Sequence, residues 1–414
     1  MPTNTRRDFL KQTATASAAF LSAKLAAGVV GANDRIRIGM IGVGSRGQEL
    51  LKQIVAVPNT QVVAMADVYN RRFDEVKRVV PDIQTFTDHR RLLDLKDVDG
   101  VIVASPLHLH ARHFVDSIAA GKDLYAEKTM TWSIPEAESC LQAAKKSDRV
   151  VQIGLQHVSG GPFKDAKNWL SQGIVGKVTQ VDAWMGRNTP HGQGQWVRQP
   201  AADCVARNVD WHAFLNGRPD NGFNAFRFMN WRLYWMFSGG NVTENMIHQI
   251  AWIMTALNLP LPSAAYMSGG IFSEKDGREV PDTMSVTLDF PELVVTWEST
   301  FNNRRYGLGQ KLLGSDGTVE YIAGATDMVS GESEEQIHYY PEKVNRPNGE
   351  EITGHSTATN HMANWIDCMR SRKTPNAPVD IGYSSAVAAH MANLSYLQKR
   401  RVTLEEAKAY KLEY

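Results

Sequence analysis

The stretch Arg35–Gly47, RIRIGMIGVGSRG, is a short apolar run that ends in three glycines, Gly42, Gly44 and Gly47, spaced as G-x-G-x-x-G. After a strand, the first glycine permits a tight turn, the second lets the backbone approach a pyrophosphate, and the third lets the following helix pack on the sheet. A helix beginning at Ser45, with Arg46 in its first turn, aims its free amides and the positive end of its dipole at that phosphate site. Glycines also punctuate ordinary turns, so the motif counts only inside the rest of its unit. Here an amphipathic segment, Gln48–Val55, leads through Pro58 and Asn59 to a second strand, Gln61–Ala66, with Asp67 at its end. A carboxylate at that point accepts from the adenosine ribose hydroxyls and repels a 2′-phosphate, which favours NAD. Arg71 and Arg72 follow closely and leave NADP open.

The chain has 414 residues, 43% of them hydrophobic and 21% charged, enough to bury two or more cores. A formal net charge of +1, from 45 basic and 44 acidic side chains, offers no field for nucleic acid or anionic lipid. Cys140, Cys204 and Cys368 are far apart and lack a C-x-x-C spacing, so neither a disulfide framework nor a metal site is indicated. Residues 1–32 precede the fold: Thr5-Arg6-Arg7-Asp8-Phe9-Leu10-Lys11 and the alanine-rich stretch after it read as a twin-arginine export signal. Lys24 interrupts that stretch, which argues against a membrane span. The expected location is the periplasm, reached by a folded chain that already holds its cofactor.

Alternation continues through a helix at Arg71–Val80, a strand near Thr85, a helix at His89–Leu95, a buried strand at Gly100–Ser105, a helix at His110–Ala120 and a strand at Asp123–Ala126. That last strand delivers Glu127 and Lys128 to the carboxyl edge, where ligands of such sheets bind. Residues 33–155 thus read as a nucleotide domain. From Gln156 and His157 onward the character changes, and residues 156–414 read as a second, α+β domain. Its strands are expected at Lys177–Gly186, Ala264–Phe272, Met284–Phe290, Val294–Phe301 and Lys311–Ile322, with turn signals such as Ser315-Asp316-Gly317, in one large, mainly antiparallel sheet. Five of the ten tryptophans, Trp184, Trp196, Trp211, Trp231 and Trp235, fall between them beside Arg207, Arg227 and Arg232. Indole faces over sugar C–H groups, with charged groups for the hydroxyls, suit a polyol, although tryptophans also pack cores. His157, Trp211 and Arg232 are the substrate-contact candidates, with His248.

Gly239-Gly240-Asn241 introduces a helix at Val242–Leu257 that carries Glu244 and His248 on one face. Asn241 and Glu244 also have the spacing of a capping box, which gives Glu244 a structural alternative.

The glycine loop, Asp67, the Ser105–His110 stretch SPLHLH and the Ala126–Lys128 tripeptide AEK resemble the Gfo/Idh/MocA oxidoreductases, named for glucose-fructose oxidoreductase and inositol dehydrogenase. The resemblance runs from about Arg35 to the C-terminus. It implies that Ser105, His110, Glu127 and Lys128 lie near the cofactor, that Lys128 and His248 are catalytic with Glu244 in support, and that the large sheet meets a partner subunit in a homodimer or homotetramer. This chain has Glu127-Lys128-Thr129 where the family carries Glu-Lys-Pro, Glu244 where an aspartate is usual, and Ala251 where another often stands. His110 also reads as a helix-start histidine held by backbone. His108, His110 and His113 present no common face for a metal.

An NAD-dependent oxidation of a secondary hydroxyl needs a proton acceptor, for which His248 is suited, and a cation for the developing alkoxide, for which Lys128 is suited. In a compartment without free nicotinamide cofactor, a tightly held NAD must be restored in each cycle. The expected activity is therefore a sugar or polyol oxidoreductase with bound NAD. The alternatives are a redox-neutral glycosidase that oxidises, eliminates, hydrates and reduces, and a non-catalytic sugar sensor.

Overall fold

A computed structural model describes residues 35–323 and 336–410, so the twin-arginine pattern at Thr5–Lys11 lies outside the described residues. The first six strands are short, and the inner ones are apolar and buried while the edge strand β3 is more exposed: β1 (Ile36–Ile41), β2 (Thr60–Ala66), β3 (Gln84–Phe86), β4 (Gly100–Val103), β5 (Asp123–Ala126) and β6 (Val151–Ile153). They pair in parallel in the order β3-β2-β1-β4-β5-β6. The order reverses between β1 and β4, and the connections leaving those strands part to opposite faces, which opens a crevice at the carboxyl ends. The helices Ile134–Lys145 and Gly161–Ser171 are absent from the sequence reading. In the first, the buried face is mostly Ala137, Cys140 and Ala144, small side chains that give weak apolar contrast.

The second sheet has nine strands, in the order β14-β13-β12-β11-β7-β10-β9-β8-β15. These are β7 (Val178–Gly186), β8 (Ala264–Gly270), β9 (Thr283–Asp289), β10 (Val294–Thr300), β11 (Leu308–Gly314), β12 (Gly317–Ala323), β13 (Gln336–Pro341), β14 (Ile352–Thr353) and β15 (Val402–Thr403). Among the described residues only β7 and β10 of this sheet run parallel, and its other pairs are antiparallel. The run Lys311–Ile322 is divided at Ser315-Asp316 into two antiparallel strands, as the turn residues there require. Strands such as β9 and β10 alternate buried with more exposed positions, and the helices Ile247–Ala256 and Val379–Gln398 pack in the core on the buried side. The helix His361–Ser371 returns to the nucleotide sheet, where Trp365, Ile366 and Met369 join Ile38, Met40 and Tyr125.

The tryptophan-rich insert builds a small core of its own. Cys204, Val209, Phe214, Phe228, Leu233 and Phe237 cluster with Tyr69, just beyond β2. Backbone bonds from Asn70 N–H to Asn208 O (3.0 Å) and from Asp210 N–H to Val68 O (2.7 Å) lash this strap to the nucleotide domain. The Tyr69 hydroxyl and the Arg71 guanidinium both donate to Asp203, at 2.8 and 3.0 Å. The cysteines are free and buried.

Candidate functional site

A cavity of about 540 Å³ lies between the glycine loop and the second domain. At its nucleotide end Gly42 has φ +81°, and a Cβ there would fall 2.5 Å from the Ser105 nitrogen, so only glycine fits. A Cβ on Gly47 would meet Gly42 O at 2.4 Å, whereas one on Gly44 would meet nothing within 4 Å, leaving open backbone for a phosphate. The helix Ser45–Val55 starts without a side-chain cap, so its first amides stay available to an anion. Arg198, from the strap, crosses to this point and donates to the Ser45 hydroxyl. Asp67 accepts from Val43 N–H (2.7 Å) and Tyr69 N–H (2.9 Å). Burial pushes its pKa up, while the two amides oppose that. Arg72 pairs with Glu75 at 2.6 Å, and Arg71 with Glu75 and Asp203, so both of these guanidiniums have carboxylate partners among the described residues.

The end of β5 is fastened from several sides. Glu127 is buried and pairs with Arg46 at 2.8 Å, so it acts by holding Arg46 against the cavity wall. Lys128 Nζ donates to Glu244 O at 2.9 Å and to the Glu244 carboxylate at 3.3 Å. The Lys128–Thr129 peptide is cis. Thr129, in the position of the family's proline, donates its hydroxyl to Thr243 O, a bond no proline can make. His110 is buried with both ring nitrogens 2.7 Å from backbone carbonyls, those of Thr129 and Ser105. It thus latches the ends of β4 and β5 together, in keeping with its backbone-held reading. Ser105 lines the cavity and bonds His113 Nδ1 at 2.9 Å.

The expected helix at Val242–Leu257 opens with a π-helical turn, Val242–Met246, before the α-helix Ile247–Ala256. The capping box does not form. Asn241 instead donates to Ser299 Oγ at 2.7 Å, and the Glu244 carboxylate turns into the cavity to take Lys128 and Arg232, the latter at 3.0 Å. Burial alone would raise the Glu244 pKa, but Arg232 and Lys128 together hold it down at about 2. Glu244 therefore holds Lys128 and Arg232, and no hydrogen bond joins it to His248 among the described residues. His248 lies beside His157, rings 4.9 Å apart, and its Nδ1 is buried with no partner among the described residues. Burial, then His157, Lys128, Arg46 and Arg187, push its pKa well below that of an ordinary histidine.

Trp211 is not at the cavity. It stacks on Phe214 with centroids 5.1 Å apart and donates to Asp220 at 2.9 Å, because the strap's core claims its ring. Trp196 and Trp231 line the cavity instead, with Arg187, Arg198 and Asn245, none of which the sequence singles out as a contact. Only Trp196 and Trp231 stood within a recognisable pattern, the tryptophan cluster. His361 is turned away, bonded to Ser159 and Ile153. Among the described residues no group of three or more His, Cys, Asp or Glu side chains is placed to hold a metal ion, and no helix is long and apolar enough to cross a membrane.

Two domain models settle the lineage. That of the oxidoreductase family, NAD-binding Rossmann fold, matches residues 36–155, and that of its C-terminal alpha/beta domain matches residues 210–404. The chain belongs to the Gfo/Idh/MocA oxidoreductase family. An inositol 2-dehydrogenase of Gluconacetobacter diazotrophicus is 29% identical over 184 residues, 43% of this chain and 53% of that protein. An alpha-N-acetylgalactosaminidase of Shewanella oneidensis is 24% identical over 215 residues, 47% of this chain and 44% of that protein. The matched stretches thus span about half the length of these relatives. The crystal structure of an aldose-aldose oxidoreductase from Caulobacter crescentus superposes with a TM-score of 0.67 at 16% identity, covering 89% of this chain and 99% of that one. The family's nucleotide domain and the mixed second sheet are therefore both present.

Proposed function

We propose that the protein is an NAD-dependent oxidoreductase that oxidises a secondary hydroxyl of a sugar or polyol and keeps its cofactor between cycles. The observation that carries this reading is the meeting of Lys128 and His248, from different domains, in the same cavity as Gly42 and Gly44 of the glycine loop. The open backbone at Gly44, the uncapped helix and Asp67 fit the diphosphate and ribose of NAD. When bound, NAD accepts hydride at its nicotinamide and loses a positive charge in doing so. Lys128, steered by Glu244, donates to the substrate hydroxyl oxygen and stabilises the charge that builds there as its proton leaves. The neutral imidazole of His248 receives that proton. Trp196 and Trp231 offer apolar faces to the sugar ring.

Below its pKa a histidine is protonated and cannot accept. Because the His248 pKa is depressed, kcat/KM for a neutral sugar should stay level as pH falls through the ordinary histidine value of about 6.5. An acid limb centred there would contradict the assignment.

Retention rests on the strap. Arg198→Ala should speed NAD release about tenfold or more, the worth of a charge-assisted bond to the diphosphate. Exchange of bound for labelled NAD measures it, and an unchanged rate would place Arg198 off the cofactor.

The inositol 2-dehydrogenase relative supports the oxidoreductase reading, whereas the alpha-N-acetylgalactosaminidase relative favours a second one, redox-neutral glycoside cleavage. The same lysine and histidine serve both. Sugar released from a glycoside with no lasting reduced cofactor would select the second. A mere sensor would have no use for Lys128 held on Glu244 beside His248.

The twin-arginine pattern supports export of the folded, NAD-loaded chain to the periplasm. Phe272 and Tyr306, 71% and 73% exposed beside the large sheet, support a homodimer or homotetramer with carbohydrate as the small-molecule partner.

A further inference from the structure

Arg187 lines the cavity with no ion pair and no side-chain hydrogen bond among the described residues, and Glu244 reaches it only as a more distant charge. It follows the last residue of β7, where its N–H donates to Thr300 O at 2.9 Å and fixes the backbone against the parallel strand β10. Its side chain lines the cavity, with Nε buried and unpartnered among the described residues. The other cations of that wall are engaged. Lys128 and Arg232 share Glu244, Arg46 holds Glu127 and Glu49, Arg72 holds Glu75, and Arg198 reaches Ser45 at the phosphate end. The substrate end therefore sets three cations, Lys128, Arg187 and Arg232, against the single carboxylate of Glu244. A partly buried guanidinium without a carboxylate carries an unrelieved desolvation cost, and its planar fork matches a carboxylate better than a hydroxyl.

We propose that the substrate is a sugar bearing a carboxylate, a hexuronate or its glycoside, and that this carboxylate pairs with Arg187. The inference rests on the oxidoreductase reading and gives its substrate class. Trp196 and Trp231 meet the ring while Arg187 takes the charge. The pairing has a second effect. Arg187 contributes to the positive field that depresses His248, so an arriving carboxylate weakens that field and makes His248 a better proton acceptor when the anionic sugar is in place.

The test uses the NAD-loaded protein and calorimetric titration with glucuronate, galacturonate and mannuronate against glucose, galactose and mannose. At least one uronate should bind about tenfold or more tightly than its neutral counterpart. Arg187→Met should remove about that factor while the protein keeps its NAD, and Arg187→Lys should restore part of it. With saturating uronate, the acid limb of the reduction rate should lie at higher pH than the limb of kcat/KM for a neutral sugar. A neutral hexose that binds as well as its uronate, a panel in which no uronate binds, or an Arg187→Met protein with undiminished uronate affinity would each overturn the proposal. Reduction of bound NAD by neutral hexoses with no preference for any uronate would leave the oxidoreductase reading standing while this inference fell. If no sugar of either kind bound or reduced NAD, both would fall.

Discussion

Lys128→Met is expected to lower the rate at which a sugar reduces bound NAD by about a thousandfold, the scale of losing a charged donor aimed at a developing oxyanion. The protein should still carry its NAD, because the glycine loop, the uncapped helix start and Asp67 make none of their contacts through the ammonium group. Rapid mixing of the loaded variant with sugar, alongside nucleotide content after denaturation, separates the two effects. A variant that keeps near-normal reduction would remove Lys128 from the chemistry. One that loses NAD would make it a cofactor ligand first.

Glu244→Ala should have the largest effect on stability. Its carboxylate is the shared partner of Lys128 and Arg232, and taking away one side of a buried pair typically costs about 3–5 kcal/mol because the other side stays buried and uncompensated. The pH dependence has a definite sign. Glu244 has its folded-state pKa near 2, below the unfolded value of about 4.3, so its contribution is fully present above the unfolded value and is lost as pH falls through about 2. Denaturant titration of wild type and Glu244→Ala should thus give a gap that is wide near neutrality and narrows in acid. Glu244→Gln, which keeps the shape, should fold better than the alanine variant yet turn over slowly, since Lys128 loses its charged anchor. Equal stability of Glu244→Ala and wild type at neutral pH would contradict the pairing.

The parts legible in the sequence are those whose chemistry is local. The strand, glycine loop, helix and second strand announce themselves because each glycine answers a steric demand set within a few residues, and Asp67 follows at the strand end, where a dinucleotide's ribose is expected. Lys128 is legible from the edge of the sheet it leaves. What needs the third dimension is the pairing of side chains. Asn241 and Glu244 have capping-box spacing, but Ser299 on β10 and Lys128 on the other domain offer better partners, and the first turn becomes π-helical. Trp211 looks like its neighbours in the cluster, and only the position of Phe214 decides that it packs while Trp196 and Trp231 face the cavity. Arg187 and Arg198 sit at a strand end and in a loop without periodicity, so nothing near them in the chain marks them. Thr129 departs from the family's proline, and its bond to Thr243 becomes visible only once the two domains meet.

The most direct test of a cofactor-retaining sugar oxidoreductase is made on the purified protein as isolated. A sample is denatured and its released nucleotide identified, while the native remainder is mixed with sugars as the absorbance of reduced nicotinamide is followed. NAD is expected in the released fraction, with reduction in place by a sugar and reoxidation when a keto-sugar is added. Protein that carries no nucleotide, or bound NAD that no sugar or polyol reduces, would contradict this reading.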